Sequence, residues 1–308
     1  GALKEAYKTL GDDLGIVVAG GKGGTSRKTP EEIDRAADQF GIASGADLVF
    51  ASRMSAKVDS AAVQDGFQVY QHNFFLTPQG DWCVVQQGMN DAAGWARRYH
   101  WLAERTETFV CEPHAGLHDG AAAEPAADLL NMVAREAGQN RAACAALVRE
   151  HPDKVLAEIE KLTEGPTLFA PARHPVLPAD VNRPRLARIL RAAHEDDPQD
   201  FSALLGTRGV GPATVRSLSL LAELIHDAPA SHRDPSQPVE TAPAEEQRRW
   251  ADYAYAHGGK DGTPFPVDRE TYDRSIAILT DAVRRARVGD VEKTRALQRL
   301  SARTARSE

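Results

Sequence analysis

Between Arg53 and His72 the chain reads RMSAKVDSAAVQDGFQVYQH, and four of its side chains, Lys57, Asp59, Asp65 and His72, have the types that acid–base chemistry needs. A carboxylate and an imidazole can exchange protons near neutral pH, and an ammonium can neutralise a developing negative charge. Asp59, Asp65 and His72 could also hold a divalent metal, although their spacing matches no metal-binding signature. Gln86 and Gln87 stand where a hairpin can bring them opposite His72. A second set, Gly20 to Lys28 (GGKGGTSRK), combines glycines with Lys22, Arg27 and Lys28. Glycine amides and cations together can cradle a phosphate. The string is not a nucleotide-binding P-loop, because Arg27 precedes Lys28 where that motif has glycine, and it lacks the third glycine of a dinucleotide fingerprint. Cys111, Glu112, His114 and His118 are ligand-like types without a CxxC or HExxH frame. His257 to Asp268 (HGGKDGTPFPVD) echoes the first glycine string in too few residues to indicate duplication.

A third set lies in Phe201 to Ile225, FSALLGTRGVGPATVRSLSLLAELI. Gly209, Val210 and Gly211 turn the chain, Pro212 suits a first helical position, and Val215, Leu218, Leu221, Ala222 and Ile225 then share one face. This segment resembles a helix-hairpin-helix. That resemblance implies backbone N–H groups at Gly209 and Gly211 offered to a nucleic-acid phosphate, with Arg216 and Arg208 adding charge. Arg183, Arg185, Arg188 and Arg191 make the preceding helix basic. Many base-excision glycosylases embed this hairpin. Their Schiff-base lysine falls where this chain has Ala213, which excludes lysine chemistry there, and Asp227 and Asp234 lie only near their carboxylate position.

The elements that must position these groups divide the chain in two kinds. Leu14–Ala19 reads as a strand, Gly20–Gly24 as a tight loop, and Thr29, Pro30 and Glu32 as a capping box opening a helix. Leu48–Ala51 (LVFA) reads as a second strand. Phe67–Leu76 and Asp81–Gln87, joined at Pro78, Gln79 and Gly80, read as a β-hairpin with Gln68, Tyr70, His72 and Phe74 on one face, and Phe67, Val69, Gln71 and Phe75 on the other. Glu112–Pro125 reads as a linker. Helices are expected at Asp128–Ala137, Asn140–Glu150, Pro152–Leu162, Arg183–His194, near Phe201, Pro212–Ile225, Gln247–Tyr255 and Arg269–Arg287, with a frayed charged tail after Gly289. The fold class is therefore mixed α+β: a small N-terminal α/β domain with a β-hairpin (1–125), a mainly helical domain (126–235) and a helical extension (236–308).

Composition bounds the function. With 308 residues, 42% hydrophobic and 26% charged, the chain has a globular composition with room for two domains. The net charge of −7 gives no global pull on polyphosphate, so nucleic-acid contact requires a local patch. Three scattered cysteines exclude a disulfide framework, and no long apolar run or leader is evident, so a cytoplasmic location without membrane contact is expected.

The strings AGGKGGTSRKTPEEI, ASRMSAKVDSAAVQDGFQVYQHNFF, VVQQGMN, ARRYHWL and HGGKDGTPFPVDRETYD together resemble the prokaryotic family called domain of unknown function 763, over Gly1 to about Leu279. Members of that family carry a further stretch ahead of Gly1, so the chain is expected to be truncated. The resemblance brings no catalytic residues with it. The expectation is a nucleic-acid-binding protein for DNA processing or repair, hydrolysing a phosphodiester or N-glycosidic bond. The alternatives are an enzyme acting on a nucleotide or sugar phosphate, or a non-catalytic scaffold.

Overall fold

A computed structural model describes residues 15–91, 94–118, 129–163, 182–236, 269–285 and 289–304. The order of elements is α+β: an antiparallel sheet in the first part of the chain, helices after it. The sheet has strands β1 (Val17–Lys22), β3 (Gln68–Leu76), β4 (Trp82–Asn90), β5 (Trp95–Leu102) and β6 (Gly116–His118), in that spatial order. A two-stranded ribbon, β2 (Val63–Gln64) with β7 (Leu130–Asn131), lies apart from it. Helices α1 (Thr29–Phe40) and α2 (Gly45–Lys57) follow β1. Five more, α3 (Gly138–Arg149), α4 (Pro152–Thr163), α5 (Arg183–Asp196), α6 (Phe201–Gly206) and α7 (Pro212–His226), follow the sheet. The last two are α8 (Arg269–Arg285) and α9 (Asp290–Thr304). One apolar cluster, from Val17 to Ala222, draws on sheet and helices alike. No helix among the described residues is long and apolar enough to cross a membrane.

The sheet is built from rows of directly opposed residues, which share a face. One row is Phe74, Val84 and Trp101; the next is His72, Gln86 and Tyr99; the third contains Gly88 and Arg97. The first row is apolar and fully buried, whereas the second and third bury polar groups. That contrast sets a polar site against an apolar anchor on one face. A bulge between Val69 and Gln71 shifts the register, so that Val69 pairs with Gly88 and joins the His72 face. The simple alternation expected for the first arm of the hairpin therefore fails at its beginning, and Tyr70 is the inserted residue.

Several local expectations are corrected. The first strand begins at Val17 and runs through Gly20, Gly21 and Lys22, because those residues pair with Asn73, His72 and Gln71. Only Gly23–Lys28 leaves the sheet, as a 3-10 turn. The capping box does not form. Thr29 Oγ1 donates to the Ser26 carbonyl at 2.6 Å, and Glu32 turns back to accept the Gly20 N–H at 2.7 Å, tying α1 to β1. Leu48–Ala51 is helical: Leu48, Ala51, Met54 and Ser55 recur at helical spacing and bury one face of α2. In the described part of the helix expected at Asp128–Ala137, residues 129–137, stand the short β7 and a turn at Arg135–Ala137 rather than a helix. The segment expected as a linker holds β6. Of the tail expected to fray, Asp290–Thr304 forms α9. The expected helix Gln247–Tyr255 and the glycine string His257–Asp268 lie outside the described residues.

Candidate functional site

The second row of the sheet meets α2 and the turn that follows it. Val58–Ala62 adopts a single π-type turn, a feature that often re-aims side chains at functional sites, and it carries Asp59 into the interior. Asp59 Oδ2 accepts from Gln86 Nε2 at 2.5 Å and from Trp101 Nε1 at 2.9 Å, while Oδ1 lies 2.5 Å from His114 Nε2. Gln86 Nε2 also donates to the Ser55 carbonyl at 3.1 Å. Two acceptors thus claim the amide nitrogen of Gln86, and this fixes its orientation with Oε1 toward His72. At 3.0 Å from Oε1, His72 Nδ1 must be the donor. His72 Nε2 then carries the lone pair, and it faces Ser52 Oγ at 2.9 Å. Burial pulls the His72 imidazole below its ordinary value, against the opposing Gln86 hydrogen bond and Asp59 charge, which favours the neutral form at pH 7.

Ser52, His72 and Gln86 line the floor of a pocket of about 300 Å³ whose walls include Arg27, Arg53 and Tyr70. A second hollow, of about 420 Å³, shares Ser60 and Val69 with the first and is bordered by Gln64, Pro212 and Arg216. A third, of about 330 Å³, shares Pro212 with the second and is bordered by Arg185, Gly209 and Gly211. These shared lining residues place the three side by side in one series. Arg27, Arg53, Arg216 and Arg185 lie along it, and among the described residues no aspartate or glutamate lines any of the three. In a chain of net charge −7 that is a local inversion of sign.

The expected site residues separate. Asp59 and His72 meet through Gln86. Asp65 does not join them: its Oδ2 accepts from Arg97 at 2.8 Å and from Tyr99 at 2.8 Å, and its Oδ1 from the Phe67 N–H at 3.1 Å. Lys57 donates its ammonium to the Val210 carbonyl, tying α2 to the turn between α6 and α7, and burial lowers its pKa. Lys22 lies over the Tyr70 ring, 5.6 Å from its centroid. Arg27 reaches the pocket wall, whereas Lys28 is exposed at the start of α1. Gly209 is exposed at φ +95°, a conformation that favours glycine, and faces Ile189 of α5. Arg216 Nε donates to Gln64 Oε1 at 2.9 Å. Of the ligand-like set near Cys111, His114 serves Asp59 and Glu112 pairs with Arg233. Among the described residues no group of three or more His, Cys, Asp or Glu is placed to hold a metal ion.

Ser52 is the participant that sequence reasoning missed. Its signal was its place on the buried stripe of α2, one turn before Ser55, and the strand reading of Leu48–Ala51 hid that stripe. Comparison with protein-family models matches residues 1–267 to a protein of unknown function, DUF763. No curated protein and no solved structure matches the chain.

Proposed function

The chain belongs to the DUF763 family, and we propose that it is a nucleic-acid-binding protein whose series of hollows leads a sugar–phosphate strand to the Ser52–His72 pocket. One observation carries the reading: a series of three neighbouring hollows bordered by four arginines and, among the described residues, by no carboxylate. At one end, α6 and α7 and their glycine turn act as a helix-hairpin-helix. Gly209 lets the chain reverse ahead of α7, whose start has no side-chain cap on its N–H groups and borders the third hollow, which suits an anion site independent of base identity. Arg185 and Arg216 add phosphate contacts along the way. At the other end a neutral imidazole, poised to take a proton, suits hydrolysis of a phosphodiester or N-glycosidic bond in DNA processing or repair.

The test is fluorescence anisotropy with single- and double-stranded oligodeoxynucleotides over a series of salt concentrations. Affinity is expected to fall steeply as salt rises. In an Arg185→Ser, Arg216→Ser double variant the logarithmic salt slope should drop by about 2, roughly one for each phosphate no longer neutralised. Salt-independent binding, or an unchanged slope in the variant, would remove the reading. Competition by a mononucleoside phosphate at an affinity matching the oligonucleotide would favour a small-molecule enzyme instead.

A further inference from the structure

Serine in the middle of a helix usually turns its hydroxyl back to a carbonyl one turn earlier. Ser55 does this, donating to the Ser52 carbonyl at 3.1 Å. Ser52 instead aims its hydroxyl at His72 Nε2, where the orientation imposed by Asp59 and Gln86 leaves a lone pair. A hydroxyl, a base on it and an acceptor orienting that base are the elements of an activated nucleophile. The group at the base is a serine hydroxyl on the pocket floor, and the pocket walls present Arg27 and Arg53. We propose that Ser52 cleaves phosphodiesters as a nucleophile, through a phosphoseryl intermediate, with His72 as its base and Arg27 and Arg53 holding the phosphoryl oxygens. The proposal rests on the nucleic-acid reading for the identity of the diester; the nucleophile itself follows from the hydrogen bonds.

The chemistry balances without any further reagent. His72 Nε2 takes the Ser52 proton as the Oγ–P bond forms and the P–O bond to the leaving alcohol breaks, and the imidazolium returns that proton to the leaving oxygen. A water, deprotonated by His72, then attacks phosphorus and breaks the Oγ–P bond, and the proton passes back to Oγ. The sum is phosphodiester plus water giving phosphomonoester plus alcohol. Asp59 and Gln86 are positioning residues that act through His72.

The full chain is treated with a fluorophosphonate, a phosphorus electrophile that needs no nucleic acid, and the adduct is mapped by peptide mass. A labelled oligodeoxynucleotide is assayed in parallel for binding and cleavage. Expected are an adduct on Ser52, its absence in Ser52→Ala, and a cleavage rate reduced more than about 1,000-fold in that variant while anisotropy still reports binding. The labelling rate should be constant at neutral pH and fall as pH drops through a value lower than that of an ordinary histidine. Asp59→Asn, which removes a charge that raises the His72 pKa, should move that limb to lower pH. No adduct on Ser52, or undiminished cleavage by Ser52→Ala, would overturn the proposal, the latter assigning His72 to water activation. A Ser52 adduct in a protein that binds no oligonucleotide would retire the nucleic-acid reading and keep the nucleophile.

Discussion

Replacing Arg97 with methionine is expected to destabilise the protein by about 3–5 kcal/mol, the range for removing one partner of a buried ion pair. Arg97 is 1% exposed in the third row of the sheet and grips two carboxylates far apart in the chain, Asp65 at 2.8 Å and Asp234 at 3.0 Å. The guanidinium also stacks over the Phe67 ring at 4.6 Å. Burial pulls the Arg97 pKa down, but the two carboxylates outweigh it and hold it above its ordinary value. Methionine fills much of the volume yet leaves both carboxylates buried without a cation. Chemical denaturation at pH 7 measures the loss.

The pH dependence contributed by Asp234 should also reverse. In the wild type, burial pushes the Asp234 carboxyl up, but Arg97 and the Ser236 N–H pull it below its ordinary value. A depressed carboxyl contributes stability above its unfolded pKa and loses it as pH falls through the folded one. Asp65 differs, since its burial outweighs Arg97 and Tyr99 and already holds its carboxyl above the ordinary value. Without Arg97 burial raises Asp234 as well and Asp65 further, so the variant should gain stability relative to the wild type as pH is lowered from 7 toward 5. A wild-type-like pH profile, or a loss under about 1 kcal/mol as for an exposed pair, would show that this ion pair holds nothing together.

The legible parts of the fold were those written in local chemistry. The hairpin was visible because a turn-forming Pro-Gln-Gly separates two β-rich arms, and α3, α4, α5 and α7 because proline starts or apolar stripes mark them. LVFA was not, since four apolar residues fit a buried helix as well as a strand. Asp59 and Asp65 look alike in the sequence. A π-type turn sends one to Gln86 and His114, and a short strand sends the other to Arg97, and neither turn type nor partner is local information. Asp234 meets Arg97 across 137 positions of sequence, so only the assembled fold reveals it as a structural anion. The arginine series was half-visible: Arg27 and Arg216 stood out beside glycines, whereas Arg53 and Arg185 gained meaning from the hollows they border.

Gly20→Ala is expected to destabilise the protein by roughly 3 kcal/mol or more, combining backbone strain with overpacking. Gly20 sits at φ +86°, and a Cβ there would fall 2.3 Å from the His72 carbonyl oxygen and 2.6 Å from Thr29 Oγ1. Neither neighbour can yield easily. The carbonyl belongs to β3 where β1 pairs with it, and Thr29 is held by the Ser26 carbonyl at the start of α1. Gly23 is the matched control, because its φ of +57° carries the strain without any atom near the new Cβ; Gly23→Ala should therefore lose only about 1–2 kcal/mol. The difference between the two variants isolates the close approach. It also bears on chemistry, for whatever displaces the His72 backbone moves the imidazole from Ser52, and a shift of about 1 Å can lower a rate about 100-fold. The glycine string thus has a role distinct from cradling phosphate: it brings β1 close enough to hold His72 in place. Equal losses for Gly20→Ala and Gly23→Ala, with unchanged fluorophosphonate labelling at Ser52, would leave only the turn itself for these glycines to serve.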